Sequence, residues 1–306
     1  MNVLVTGGNG FVGKELVKEL VARRLNVFRF SKSRGQDITK KYDVENALHG
    51  IDIVFHLAAV VDESVSAEKM FEVNVKGTEN LVEAAAKAKV KQFIFLSTVG
   101  VMGNIKGRAN EKDAFAPATN YEKSKADAER IVLSFQEALP VTVVRAALVL
   151  GANHYWCEIL KAVRKGFPVI GSGENHFQTI YVKDLAEALL LVMNKEECFG
   201  ETFIAAGDDT PTLNEFYAMA QKALGAKGKV KHVPVWLAKI MGRFEEIKAE
   251  LFGGKPLLLP EYIERLVRER YYFTEKLKSV GWKPKYSVET ALKETVDSCI
   301  MKQWNC

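Results

Sequence analysis

The first thirteen residues constrain this chain more than any other stretch. A short apolar run, Val3-Leu4-Val5, breaks into Thr6-Gly7-Gly8-Asn9-Gly10-Phe11-Val12-Gly13, and an amphipathic stretch from Lys14 to Arg23 follows. Strand, glycine turn and helix in this order read as a dinucleotide site. Gly7 admits backbone angles closed to other residues, Gly10 lets the main chain approach a pyrophosphate, and Gly13 lets the helix pack on the strand. With Phe11 and Val12 at its start, the helix offers unpaired N–H groups and a positive dipole end to the phosphates. In a chain with 22 glycines the spacing alone is weak evidence. Its place directly after an N-terminal strand is what makes it specific.

Apolar strand-like runs at 2–6, 26–31, 51–57, 92–97, 141–146 and 201–205 alternate with helical periodicity at 11–24, 43–49, 71–88, 121–138 and 183–194. Such alternation predicts an α/β fold, a doubly wound parallel sheet with helical crossovers. The near-continuous apolar character of the strands predicts helices on both faces. Only Lys32 to Tyr42 separate the second strand from the next helix, so any third strand there is very short. From Gly151 the pattern loosens. Residues 1–150, with 180–206 returning to the sheet, are expected to form the dinucleotide-binding domain. Residues 151–179 and 207–306 are expected to form a smaller, discontinuous C-terminal substrate-binding domain.

The 306 residues carry 48% hydrophobic and 26% charged side chains, the balance of a globular protein. The net charge of +5 is spread among acids along helices, which predicts a solvated surface and no nucleic-acid partner. Cys157, Cys198, Cys299 and Cys306 form no Cys-x-x-Cys pair, and with the five histidines they fit no zinc spacing. A reduced, cytoplasmic protein without a metal is the expectation. No apolar run is long enough to span a membrane. Val233 to Met241, the most membrane-like segment, is interrupted by Lys239 and reads as a substrate-domain helix, with a peripheral lipid contact as the alternative.

Three further stretches narrow the chemistry. Asp52 to Ala59 ends a strand in Leu57, Ala58 and Ala59, which leave room for a cofactor across the strand end. Phe95-Leu96-Ser97-Thr98 ends the next strand in hydroxyls, and Asn120-Tyr121-Glu122-Lys123-Ser124-Lys125 opens a helix. With Asn74-Val75-Lys76-Gly77-Thr78-Glu79-Asn80-Leu81, these motifs resemble in order and spacing the extended short-chain dehydrogenase/reductase family, the NAD-dependent epimerase/dehydratase superfamily. The resemblance covers nearly the whole chain. It implies that Thr98 binds the substrate oxygen, Tyr121 exchanges the proton, and Lys125 assists Tyr121 and anchors the nicotinamide ribose. A tyrosine near its ordinary pKa of about 10 is a poor base, so Lys125 and the positive nicotinamide ring are expected to favour the phenolate. Asn74 is expected to fix backbone and cofactor geometry. A second Tyr-x-x-x-Lys, Tyr272 to Lys276, lies far beyond the sheet and reads as chance.

Cofactor choice rests on the end of the second strand. An acid there serves the adenine ribose of NAD, and a cation serves the extra phosphate of NADP. This chain has Ser31, Lys32, Ser33 and Arg34, which points to NADP, with NAD the alternative. Asp37 and Ile38 resemble the family's adenine-edge contacts.

Within the family, Val99 and Gly100 after Thr98 lack the acid pair of a dehydratase. Aligning on Tyr181-Val182-Lys183-Asp184-Leu185 puts Phe177 where nucleotide-sugar epimerases carry an arginine for the diphosphate; His176 or Lys161 are possible replacements. Val233 to Ala238, Pro256 to Pro260 and Tyr272 to Pro284 resemble the dihydroflavonol reductase and 3β-hydroxysteroid dehydrogenase branch. Phe177, Trp156 and Trp236 would suit a partly apolar substrate. The expectation is an NADP-dependent oxidoreductase acting on a small molecule, a secondary alcohol or ketone. The alternatives are a nucleotide-sugar 4-epimerase and, from another class, an NADP-sensing regulatory protein. Helices 71–88 and 121–138 correspond to those by which the family commonly dimerises, which implies a homodimer.

Overall fold

The computed structural model describes residues 1–252 and 260–304. Of the stretch Pro256 to Pro260 singled out above, all but Pro260 lies outside the described residues, as does Cys306. The first half runs β1 (Asn2–Thr6), α1 (Phe11–Ala22), β2 (Asn26–Phe30), α2 (Lys41–Ala47), β3 (Ile53–His56), α3 (Ala67–Phe71), α4 (Gly77–Lys87), β4 (Gln92–Thr98), α5 (Asn120–Ser134) and β5 (Val141–Ala146). Every strand is parallel, in the order β2-β1-β3-β4-β5 with one later strand beyond β5. The order reverses at β1, where β2 lies on one side and β3 on the other. This is the doubly wound, Rossmann-like sheet the alternation predicts.

Apolar spacing on each helix explains the two layers. Leu16, Val17 and Leu20 of α1 pack under one face of the sheet, while Leu81, Val82 and Ala85 of α4 and Ala128 and Val132 of α5 pack on the other. All residues of β3 and β5 are buried. Strand β2 departs from that pattern. Phe28 is half exposed, because no third strand forms between β2 and α2 and the sheet ends there. The helix expected at 71–88 begins earlier and is interrupted by a π-helical turn at Glu72–Lys76 that widens the backbone around Asn74.

The second half runs β6 (Leu148–Leu150), α6 (His154–Arg164), β7 (Val169–Ile170), β8 (Thr179–Tyr181), α7 (Val182–Leu191), β9 (Glu201–Ala205), α8 (Leu213–Ala223), β10 (His232–Val233), α9 (Val235–Phe252), α10 (Pro260–Leu266), α11 (Glu275–Ser279) and α12 (Val288–Met301). β9 closes the main sheet beside β5, and α7 packs beneath it through Leu185, Ala188 and Leu189. β8 pairs with β6 in a separate two-stranded sheet, and β7 with β10 in another. Trp156, Leu160, Phe216 and Leu292 gather α6, α8 and α12 around a further core. Within that core Cys157 of α6 and Cys299 of α12 form a disulfide, 142 residues apart in sequence. This corrects the expectation of four unpaired cysteines. Local spacing identifies neighbouring pairs, whereas this bond is made by packing two distant helices. Cys198 is a buried free thiol. No described helix is long and apolar enough to cross a membrane.

Candidate active site

The glycine turn closes on itself through its backbone. Gly7 N donates to Phe30 O at 3.0 Å and Gly10 N to Gly7 O at 2.8 Å. Gly7 has φ +69°, and a Cβ there would stand 2.8 Å from Ala58 N. At Gly13 a Cβ would stand 2.2 Å from Gly7 O, so only glycine permits this packing of α1 on the turn. Phe11, Val12 and Gly13 supply the first N–H groups of α1, which have no partner within the helix. The turn thus meets the partly exposed residues Leu57, Ala58 and Ala59 at the end of β3.

A directed hydrogen-bond chain fixes that meeting point. Thr78 Oγ1 donates to Asn74 O at 2.6 Å, so it accepts from His56 Nε2 at 2.8 Å. His56 Nδ1 then accepts from Thr6 Oγ1 at 2.7 Å, and Thr6 Oγ1 accepts from Ala58 N at 3.2 Å. His56 is neutral with its proton on Nε2. Burial, helped by the charge of Lys125, holds its pKa well below the ordinary value. Sequence reading missed Thr6, His56 and Thr78 as one unit because they come from three separate elements.

At the end of β2, Asn9 Nδ2 donates to Ser31 Oγ at 2.9 Å and to Ser33 Oγ at 3.0 Å. Lys32 and Arg34 lie in the short 3₁₀ turn that follows. Lys32 acts electrostatically on Asp37. Arg34 lines a cleft of about 380 Å³ outside the sheet edge with Phe28, Gln36, Asn46 and His49, on the ground a third strand would occupy. The Asp37 carboxylate accepts from Thr39 N and Oγ1, and those bonds lower its pKa. Ile38 is buried against Gly77, where a Cβ would come within 2.6 Å of it.

The third wall is the start of α5. Thr119 and Glu122 form a reciprocal capping box that sets where the helix begins. Asn74 Nδ2 donates to Val60 O and to Ser124 Oγ, each at 2.9 Å, while its Oδ1 accepts from Val60 N. The π-helical turn therefore ties the segment after β3 to α5 through Asn74. Thr98 caps the 3₁₀ turn Val99–Met102, accepting from Gly100 N at 3.1 Å. That turn packs on α5 so closely that a Cβ at Gly100 would stand 2.9 Å from Glu122 Cγ.

Tyr121, Lys125 and Glu129 follow at helical spacing on one face of α5. Burial pushes the Tyr121 phenol up to about 12; Arg265 opposes the shift, and Glu122 and Glu63 add to it. Burial brings the Lys125 ammonium down to about 7, against the pull of Glu129. Lys125 Nζ stands 3.8 Å from the centre of the Phe95 ring. The expected lowering of Tyr121 by Lys125 is therefore not met in the protein by itself. Burial sets the Tyr121 shift and the charge that opposes it is that of Arg265, while the lysine is itself close to losing its charge. Below them Glu129 accepts from Arg145 Nη2 at 2.7 Å and from Ser97 Oγ at 2.5 Å, a fully buried pair.

Several site residues escaped sequence reading. Arg268 Nη1 donates to Glu122 Oε1 at 2.7 Å, next to Tyr121 in sequence. The Arg270 guanidinium lies 4.7 Å from the centre of the Phe177 ring, and its Nη1 is buried without a hydrogen-bond partner among the described residues. An arginine thus stands over the residue where one was found wanting, supplied from a segment 93 positions later. His176 pairs with Glu269 and stacks on Tyr271, and Lys161 pairs with Glu158. Trp156 and Phe177 are core side chains, and Trp236 is exposed to solvent. Tyr272 is buried, its N–H bonded to Gln178, and Lys276 binds Glu201, so this second motif is structural.

Residues 3–205 match the sequence profile of the NAD dependent epimerase/dehydratase family. The chain is 26% identical to an N-acetyl-alpha-D-glucosaminyl-diphospho-ditrans,octacis-undecaprenol 4-epimerase of Escherichia coli O157:H7, covering 96% of this chain and 94% of the relative. It is also 26% identical to a 3-beta-hydroxysteroid dehydrogenase of Mycolicibacterium neoaurum, over 95% of this chain and 89% of the relative. A crystal structure of UDP-glucose 4-epimerase with UDP-glucose from Thermotoga maritima superposes with a TM-score of 0.80 at 26% identity, covering 99% and 100% of the two chains. Relatives thus fall among both dehydrogenases and epimerases. With the match to the family profile and likeness over nearly the full length, the chain belongs to the NAD dependent epimerase/dehydratase family and is an NAD(P)-dependent enzyme.

Proposed function

We propose that this chain is an NADP-dependent oxidoreductase that interconverts a ketone and a secondary alcohol, with Thr98, Tyr121 and Lys125 as its catalytic residues. The observation that carries the reading is the geometry at the head of α5, where Tyr121 and Lys125 stand one turn apart and Lys125 lies over Phe95 of the strand that ends in Thr98. Held at about 12, Tyr121 keeps its proton at neutral pH and can deliver it from Oη to a carbonyl oxygen. The Thr98 hydroxyl holds that oxygen, and Lys125 anchors the ribose. When bound, the nicotinamide supplies or accepts the hydride.

The residues present fit such a cofactor. Gly7, Gly10, Phe11, Val12 and Gly13 offer a backbone cradle for a diphosphate, Leu57 to Ala59 leave the strand end open, and Asp37 and Ile38 border the adenine. Ser31, Lys32 and Arg34, with no acid at that strand end, favour the extra phosphate of NADP. Residues 151–179 and 207–306 are proposed to bind the substrate.

A second reading, a nucleotide-sugar 4-epimerase, is favoured by Arg270. Its unpartnered, buried Nη1 above Phe177 suits a diphosphate, and the absence of an arginine at 177 no longer argues against this reading. A homodimer through α4 and α5 in the cytoplasm completes the proposal, with the Cys157–Cys299 bond standing against the reduced state expected there. Those helices expose no large apolar side chain, so association there would rest on polar contacts.

The deciding experiment is release and identification of nucleotide from the purified protein, with fluorescence titration of NADPH and NADH. Exchangeable binding that favours NADPH supports the reductase. Tightly retained NAD, with no net turnover of it, makes the epimerase the function. Light scattering that gives only a mass near 34 kDa removes the homodimer.

A further inference from the structure

Surface helices of folded proteins turn their large apolar side chains inward. The first three turns of α9 do the reverse. Ala238 packs with Ile170 and Ile263, and Gly242 is buried with it. The large side chains face solvent instead: Trp236 is 64% exposed, Phe244 69% and Met241 52%, with Ile240 and Leu237 beside them. At about 100° per residue, positions 236, 237, 240, 241 and 244 share an arc of about 140°, while 238 and 242 lie opposite. Small residues let the helix lie close to the protein, which leaves an aromatic and aliphatic face outward.

Positive charge borders this face. Arg243 is exposed beside it, and Lys227, Lys229 and Lys231 are exposed in the segment that leads through β10 into the helix. Lys239, also on the border, is paired with Glu264. An outward apolar arc with a tryptophan and a phenylalanine, edged by lysine and arginine, has the chemistry of a helix that lies in a lipid interface. The basic run complements anionic headgroups.

We propose that the start of α9, with Lys227, Lys229 and Lys231, docks this protein on an anionic lipid surface as a peripheral contact. α9 packs on α10, which carries Arg265 toward Tyr121. Docking would therefore set the catalytic crevice beside the membrane.

The test is flotation of the full chain with vesicles of phosphatidylcholine containing about 30% phosphatidylglycerol, against phosphatidylcholine alone. The expected result is binding to the anionic vesicles at least about tenfold stronger than to neutral ones, weakening as salt rises. The double variant Trp236→Ser/Phe244→Ser should lose about tenfold or more, and Lys227→Gln/Lys229→Gln/Lys231→Gln several-fold. Quenching of wild-type tryptophan fluorescence by lipids brominated in the acyl chain, lost in Trp236→Phe, gives a readout independent of the serine variant; Trp156 and Trp282 are buried, and the partly buried Trp304 packs on the separate core of α6, α8 and α12 and remains in both proteins. The proposal is overturned if the wild type does not float with anionic vesicles at low salt, or if the double variant floats equally well. It is also overturned if the wild type self-associates without binding vesicles and the double variant is monomeric, since a second copy then covers the face.

Discussion

The two walls of the crevice are made by opposite means. The wall at β1 and α1 works by lacking side chains: at Gly13 the space for one more carbon is already taken by Gly7 O. The wall at 265–270 works by projecting them, with Arg268 reaching Glu122 and Arg270 lying over Phe177. A backbone cradle tolerates almost no addition, because overpacked backbone has nowhere to relax. A side-chain wall tolerates exchange of position, because long guanidinium groups reach the same point from different elements. The first wall suits a constant ligand and the second a ligand that varies among relatives. The titrating face of α5 stands between them.

Changes on α5 should have the largest effects. Tyr121→Phe is expected to cut turnover about 10³-fold while leaving nucleotide affinity within about twofold, checked by steady-state kinetics beside fluorescence titration. Unchanged turnover would remove Tyr121 from the chemistry. Glu129→Leu strands Arg145 in the core and should cost about 4 kcal/mol in urea unfolding.

For Lys125 the sign follows from its lowered pKa. Between about 7 in the folded chain and 10.5 unfolded, the unfolded state binds the extra proton, so stability rises with pH across that window. Below it the burial penalty is full. Lys125→Met should lack this rise and be more stable than wild type at pH 7, on the order of 3 kcal/mol, as read from unfolding at pH 7 and 10.

The two walls are then separated directly. Gly13→Ala should weaken nucleotide binding about thirtyfold without touching the arginines. Arg270→Met should leave nucleotide binding alone and raise KM about tenfold for a substrate bearing phosphate. Equal effects of both substitutions on nucleotide affinity would break the division of labour between the walls.

The same contrast explains what the sequence made legible. β5 and β9 run to the residues expected, because buried parallel strands write continuous apolar runs between glycine and proline breaks. The glycine turn was legible because a missing side chain is itself a letter. Glu129 carried a readable signal too, eight residues after Tyr121 on the same helix face. Arg268, Arg270 and the Cys157–Cys299 bond carried none, because each depends on a partner more than 90 positions away. Trp236 was misjudged for a related reason: helical spacing shows that a face is apolar, and only packing shows which way it turns.

The bond between Cys157 and Cys299 makes a closed ring of the chain between them, and that ring holds β9, hydrogen-bonded along β5 at the edge of the main sheet. A protease that cuts once between the two cysteines would open the ring without releasing a fragment. The two pieces would migrate together on a denaturing gel until a thiol reductant parted them.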